Sequence, residues 1–519
     1  MKIIKNCATL VAVATLFCSS VAYAQSKPAI VDKIVKEATE NSQLEKLAHE
    51  LLDGIGPRLI GTPQMKKAHE WAVAKYTSWG ISAKSETWGQ WRGWERGVTH
   101  IDLVSPRLRT LEGTQLAWSP STKKPINAEA IVLPLVADSN AFKAWLPSVK
   151  GKLVLISLNP TSGRPDKNWE EFATKDGFSK FKTDKAKDAA AWRERLSKTG
   201  LNAKNLALAI ENAGAAGIII NNWSAGWGVD KVFGANTTKI PTVDLSVEDY
   251  GLVFRLAESG NKPKLKIVAE SKELGLVPTQ NTIAEIKGTE KPNEYVMLSA
   301  HFDSWDAASG ATDNGSGTIL MMETMRILKK FYPNPKRTIL VGHWSSEEQG
   351  LNGSRAFVED HPEIVQNLQV LFNQDNGTGR VVNLSGQGFA KSKDFITRWL
   401  AAVPDTIKNQ IRTSFPGFPS SGGSDNASFA TAGAPGLSLG STSWDYGAYT
   451  WHTNRDTYDK MVFDEIRSNA ILAAILVYMA CEDPERFTHE KAPLPNNPRT
   501  GAPGVWPTPV KANRKGGVN

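Results

Sequence analysis

The chain has 519 residues, 41% of them apolar, so it exceeds one ordinary domain and can bury at least one large core. Its formal charge of +8 lies at the ends: Lys2 and Lys5 near the start, and Lys491, Arg499, Lys511, Arg514 and Lys515 in a stretch without acids. Residues 25–490 are left near neutral, which excludes a nucleic-acid binder carrying its charge on a folded face.

In chain order, residues 1–24 combine two lysines with an apolar stretch too short to span a bilayer and end in Ala22-Tyr23-Ala24, a small-x-small cleavage pattern. We expect an export signal here, and a periplasmic or secreted product with no membrane anchor after cleavage. Phe17 ahead of Cys18 speaks against lipidation. Cys7 and Cys18 leave with the signal, so Cys481 is the remaining cysteine and no internal disulfide can form. Residues 28–82 read as helical around the punctuated link DGIGPRLIGTPQ (53–64). From 108 to about 270, the runs AEAIVLPLV, GKLVLISL, AGIIINN and IPTVDLS read as short strands between helices. The charged block NWEEFATKDGFSKFKTDKAKDAAAWRERL reads as a surface helical excursion. From Asn281, TIAEIKG, YVMLSA, RTILVGHW, QVLFNQD and PGLSLG are strands separated by helices such as GTILMMETMRILKKF, which predicts an α/β chain with a mainly parallel sheet. Residues 491–519, rich in Pro and Gly, read as an extended, poorly ordered tail packed against the fold or trailing from it.

In such sheets ligands bind beyond the carboxyl ends of the strands. There the strands deliver His301-Phe302-Asp303, Ser345-Ser346-Glu347-Glu348 and Asp375, and GATDNGSG adds Asp313 in a glycine-rich turn. Acids converging on a crevice repel one another unless a cation sits among them. Zinc takes imidazole nitrogen and carboxylate oxygen, and two zinc ions sharing a carboxylate would neutralise the cluster. A glycine-rich loop before a helix can also cradle phosphate, but GATDNGSGT has no lysine and is flanked by acids.

His301-x-Asp303, Asp313-Asn-Gly-Ser-Gly, Glu347-Glu348-Gln-Gly-Leu-Asn-Gly-Ser, Asp375 and Trp451-His452-Thr-Asn-Arg-Asp456-Thr resemble the co-catalytic di-zinc exopeptidases, in layout most like carboxypeptidase Q. The resemblance implies a three-layer α/β/α fold with a mostly parallel mixed sheet. Residues 25–107 and 275–490 would form the peptidase domain, 108–274 an inserted protease-associated domain flanking the active site as a lid, and 491–519 a basic tail. It implies two Zn2+ per chain: Asp313 bridging, His301 and Asp375 completing one ion's ligands, and Glu348 and His452 the other's. It also implies a cis peptide at Asp313-Asn314. Asp303, two residues after His301, is expected to accept the other ring N–H. Glu347, next to a ligand, is expected to act as general base and then as the acid that protonates the leaving amine.

The chain departs from the pattern at Trp451, where relatives often carry Tyr or His, so Tyr446 and Tyr449 are candidates to polarise the substrate carbonyl or to wall the pocket. GGSDNASF (422–429) has Asn426 where many aminopeptidases have His. His343 reads as a core histidine, and Trp305 and Trp344 as candidate cleft walls. The implied function is carboxypeptidase Q-like hydrolysis of dipeptides and short peptides. An aminopeptidase and, more remotely, a one-zinc glutaminyl cyclase-like enzyme are the alternatives, while a non-enzymatic receptor would lack ligands. A carboxypeptidase needs a cation for the terminal carboxylate, and Arg380 is the candidate. Partners are then peptides, with a homodimer left open.

Overall fold

Four strands run parallel at the centre of the fold, in the spatial order Arg337–Trp344, Lys291–His301, Leu368–Asn373, Gly436–Ser441. Their side chains alternate between two apolar layers, as the period of two requires. Val296, Leu298, Val341, Val370 and Phe372 enter one layer together with residues of the helices Ala29–Glu40, Pro63–Ser78, Ser316–Phe331 and Phe463–Glu482. Met297, Leu340 and Leu371 enter the other, under the helices Asn352–Asp360 and Asn426–Thr431. Burial on both faces explains why these runs are almost continuously apolar. The sheet is mixed at its margins: Val381–Ser385 runs antiparallel to Gly436–Ser441, and Lys264–Ile286 antiparallel to Arg337–Trp344. The computed structural model describes residues 28–496 and 500–517, so the expected export signal and Arg499 lie outside the described residues.

A long antiparallel ribbon joins this sheet to a second one. Ser82–Ser105 and Lys264–Ile286 pair from Ser82↔Glu285 to Ser105↔Lys264, interrupted by register shifts at Thr87/Gly89, Gly93/Trp94, Arg96/Thr99 and Leu103/Ser105. At about 3.3 Å per residue the ribbon is roughly 75 Å long. Its far end pairs with Ile126–Val132, followed in parallel by Leu153–Leu155, Gly217–Ile220 and Thr242–Leu245. Residues 106–263 thus form a second lobe with its own core of Leu153, Leu155, Ile219, Val243, Leu245 and Tyr250. A boundary at 274/275 falls inside a strand that both lobes share.

The charged block forms the helices Asp166–Phe172 and Lys175–Lys198, anchored by Phe181 and Trp192. The described part of the tail is extended but packed, not trailing. Trp506 lies 5.3 Å from Phe389, Arg514 pairs with Glu359 and Asp360 at 2.8 Å, and Lys515–Gly516 adds a parallel strand beside Gln90 and Trp91. No helix among the described residues is long and apolar enough to cross a membrane.

Candidate metal centre and active site

The carboxyl ends of the central strands bring the expected ligands together. His301 closes Lys291–His301, Asp375 follows Leu368–Asn373, the Glu347-Glu348 pair follows Arg337–Trp344, and His452 follows the short helix Tyr446–Tyr449. Asp313 sits between them in the turn Ala311–Gly315, and the Asp313-Asn314 peptide is cis. The turn begins at Gly310 with φ +60°, where a Cβ would stand 2.3 Å from that of Ser304, so only glycine fits. His301 Nε2 lies 3.2 Å from Asp375 Oδ1 and 3.3 Å from Asp313 Oδ1. On the other side of Asp313, His452 Nε2 lies 3.3 Å from Asp313 Oδ2 and 2.7 Å from Glu348 Oε2. Two triads, His301/Asp313/Asp375 and Asp313/Glu348/His452, therefore share one carboxylate, with the donor atoms of each set within 4.8 Å of one another.

A second set of groups holds these in place. Asp456 accepts the backbone N–H of Thr312 at 2.8 Å and of Asp313 at 3.0 Å, and Asn314 Nδ2 donates to the Gln374 carbonyl at 2.8 Å. Arg58, fully buried, donates to the carbonyls of Phe302 (2.7 Å), Ser309 (2.7 Å) and Gly310 (2.9 Å), clamping the loop between His301 and Asp313. Burial lowers its guanidinium pKa to about 10, opposed by Asp456 and Asp303. Asp303 works differently from the sequence expectation. His301 Nδ1 is 3.0 Å from the Asp303 main-chain carbonyl and 3.7 Å from its carboxylate. The carboxylate instead accepts the N–H groups of Glu347 (3.1 Å) and Glu348 (3.3 Å), fixing that turn. Ring orientation comes from the backbone, and Nε2 is left to face the acids.

Burial sets the electrostatics. It pushes Glu348 well above the usual carboxyl range, with Asp313 and Glu347 reinforcing it, and does the same to Glu347, where His301 opposes and Asp375 reinforces. Burial pulls His301 down, but Asp375 and Glu347 outweigh it and hold the ring well above the ordinary imidazole value. His452 is lowered to about 4 by burial against the pull of Asp313. Protons are thus taken up where a cation would otherwise balance the acids. Asp313 Oδ2 has no hydrogen-bond partner although buried. An all-N/O donor set of three residues on each side suits zinc with positions left open.

Among the substrate candidates, Tyr446 lines the cleft beside Asp313, Glu347 and Glu348. Tyr449 instead packs toward the second lobe, near Gly226 and 6.0 Å from Lys167 Nζ. Arg380 is not in the cleft: its guanidinium pairs with Glu465 at 2.6 Å, and its N–H donates to the same carboxylate. Trp305 lies edge-on to His452 at 6.1 Å. Trp344 is a core residue instead, wedged by Phe357 and Phe429 with its indole N–H on Ser299 Oγ at 2.8 Å. His343 is buried against the Tyr76 hydroxyl at 2.7 Å and lowered to about 3 by burial. Asp425, in the GGSDNASF segment, is a buried acid the sequence did not single out. Burial raises it to about 7, with His301 opposing.

The second lobe also reaches the site. Val232 N–H donates to the His452 carbonyl at 2.7 Å, and Asn454 N–H to the Asp230 carbonyl at 3.0 Å. Phe233 stands edge-on to His452 at 5.5 Å, and Lys231 Nζ lies 4.0 Å from the Trp451 ring centre.

With this geometry in view, comparison with known proteins shows what the catalytic half is similar to. Residues 281–477 match the model of peptidase family M28. The matched stretch carries all five candidate ligands, and the chain is a metallopeptidase whose catalytic segment is similar to this family. Carboxypeptidase Q of Mus musculus is 25% identical over 461 residues, covering 89% of this chain and 90% of that one, and the Homo sapiens protein is 26% identical over 455 residues, covering 88% of each. Among solved structures, a peptidase M28 precursor from Shewanella amazonensis superposes with a TM-score of 0.64 at 23% identity, covering 88% of this chain and 97% of that one. BSAP, a zinc aminopeptidase from Bacillus subtilis, gives 0.56 at 19% identity, covering 86% and 97%. Both share the M28 fold over nearly the whole chain.

Proposed function

We propose that the chain is an exported di-zinc exopeptidase that hydrolyses dipeptides and short peptides in the manner of carboxypeptidase Q, with residues 106–263 acting as a protease-associated lobe beside the cleft. The observation that carries this reading is the pair of triads sharing Asp313, with Glu347 in the same cleft. His301, Asp313 and Asp375 would hold one ion, and Asp313, Glu348 and His452 the other. Bound zinc would supply Lewis-acid polarisation and a nucleophile at neutral pH.

The chain's own residues supply the rest. Glu347 belongs to neither triad, and Asp303 fixes its backbone. Its carboxylate is set to take the proton of the attacking water and return it to the departing amine. Tyr446 and Trp451 wall the cleft around the substrate, and Phe233 and Trp305 shield His452 from bulk water.

The test is zinc content together with hydrolysis of a peptide panel blocked at either end, for wild type and Glu347→Gln. Two zinc ions in both proteins and turnover only in wild type are expected. One metal ion per chain, or full activity in the variant, would remove the proposed mechanism. The aminopeptidase reading draws on the likeness to BSAP, and a block at the amino end that abolishes turnover would favour it.

A further inference from the structure

The cleft over the two triads has a volume of about 430 Å³, and its acidic lining residues are Asp313, Glu347, Glu348 and Asp375. Each already has a place in the proposed metal set or as the base, so none is left over to receive a substrate amine. The one cation in the lining is Arg355, in the helix Asn352–Asp360. It is half-buried, and among the described residues its guanidinium makes no hydrogen bond and no ion pair.

Exposed arginines such as Arg107 and Arg412 are also without a side-chain partner, but among the described arginines that are not exposed Arg355 alone has none. Arg58 is saturated by backbone carbonyls, Arg337 pairs with Glu294, Arg380 with Glu465, and Arg398 with Asp483. Arg355 also lies in the amino-terminal half of its helix, where the backbone dipole disfavours a positive charge. A half-buried guanidinium held away from the acids around it contributes little to folding, and its planar fork matches a carboxylate with two parallel hydrogen bonds. Lys231, the nearest rival, has Nζ committed to the carbonyls of Gly447 (3.1 Å) and Trp451 (3.0 Å) and does not line this cleft.

We propose that Arg355 binds the free α-carboxylate of the substrate's carboxyl-terminal residue, so that the enzyme acts on free carboxyl ends. This rests on the exopeptidase reading above and adds which terminus is recognised and by what. Arg355 is thereby a specificity-determining residue, with no part in the proton transfers.

The experiment measures kcat and KM of zinc-loaded wild type, Arg355→Met and Arg355→Lys on one dipeptide and on the same dipeptide amide. Wild type is expected to prefer the free acid. Loss of a charge-assisted pair should raise KM for the acid roughly 10- to 100-fold in Arg355→Met while the amide is unaffected. Arg355→Lys should recover part of the loss, and it carries the test if the methionine variant fails to fold. Equal changes on both substrates, or a wild-type preference for the amide, would overturn the assignment and leave the peptidase reading intact. Cleavage of neither substrate by zinc-loaded wild type would overturn both.

Discussion

Asp456 belongs to neither triad yet bears directly on the carboxylate they share, because its two oxygens hold the N–H groups of Thr312 and Asp313. An amide in its place keeps one acceptor and turns the other atom into a donor facing an N–H. Asp456→Asn should therefore weaken zinc binding roughly 10- to 100-fold, measured by competition with a chelator, while kcat at saturating zinc changes little. Glu347→Gln should behave oppositely, keeping its zinc and losing turnover by about 10²- to 10⁴-fold. At this scale His301, Glu348 and Asp375 were legible because they stand at or just after the ends of apolar strands, whereas His452, after a short helix, was found through the family resemblance. Arg58 was not. Its setting, GIGPRLIG, looks like an ordinary turn, and its purpose appears only when residues 302–310 fold over it from the far side of the sequence. Asp303 was half legible: the spacing to His301 placed it correctly, but spacing cannot tell a side-chain acceptor from a backbone one.

Among the elements, the segment around Asp230 makes the second lobe part of the site wall. Asp230 is raised to about 7 by burial, reinforced by Glu248 and Glu112, and the neighbouring Asp244 is raised well above its usual range, again chiefly by burial. A carboxyl whose folded-state value is raised gives stability that is fully present below its unfolded value of about 4 and is lost as pH rises through the folded value. Thermal stability should fall between about pH 4 and pH 7 on this account. Asp230→Asn should flatten that fall, and a melting series across pH in both proteins checks it. A decline of equal steepness in the variant would assign it to other groups. The central strands were readable as elements because unbroken apolar runs bounded by turns admit few other structures. The Ser82–Ser105 strand was not, since its buried Trp88, Trp91 and Trp94 recur every three residues, a spacing that its register shifts accommodate but that hides the period of two on which strand reading depends.

For the whole molecule, a metal bound only by the native state stabilises it by RT ln(1 + [L]/Kd), about 4 kcal/mol at a thousandfold excess over Kd. Removing zinc with a chelator should lower the melting temperature and re-addition should restore it, with calorimetry as the readout. An unchanged melting temperature would mean that protons on His301, Glu347 and Glu348 balance the cluster as well as metal does. The ribbon carries a different lesson. Ser105 and Lys264 are cross-strand partners, so the second lobe starts and finishes at adjacent points of one ladder. In topological terms residues 106–263 are a single oversized hairpin turn. Such a turn can be exchanged for a short one at a rung of the ladder without altering the strand order of the catalytic sheet, and what the exchange would take away is the wall against His452. The scaffold of the metal positions and the lobe that packs against His452 are thus separable modules on one pair of strands.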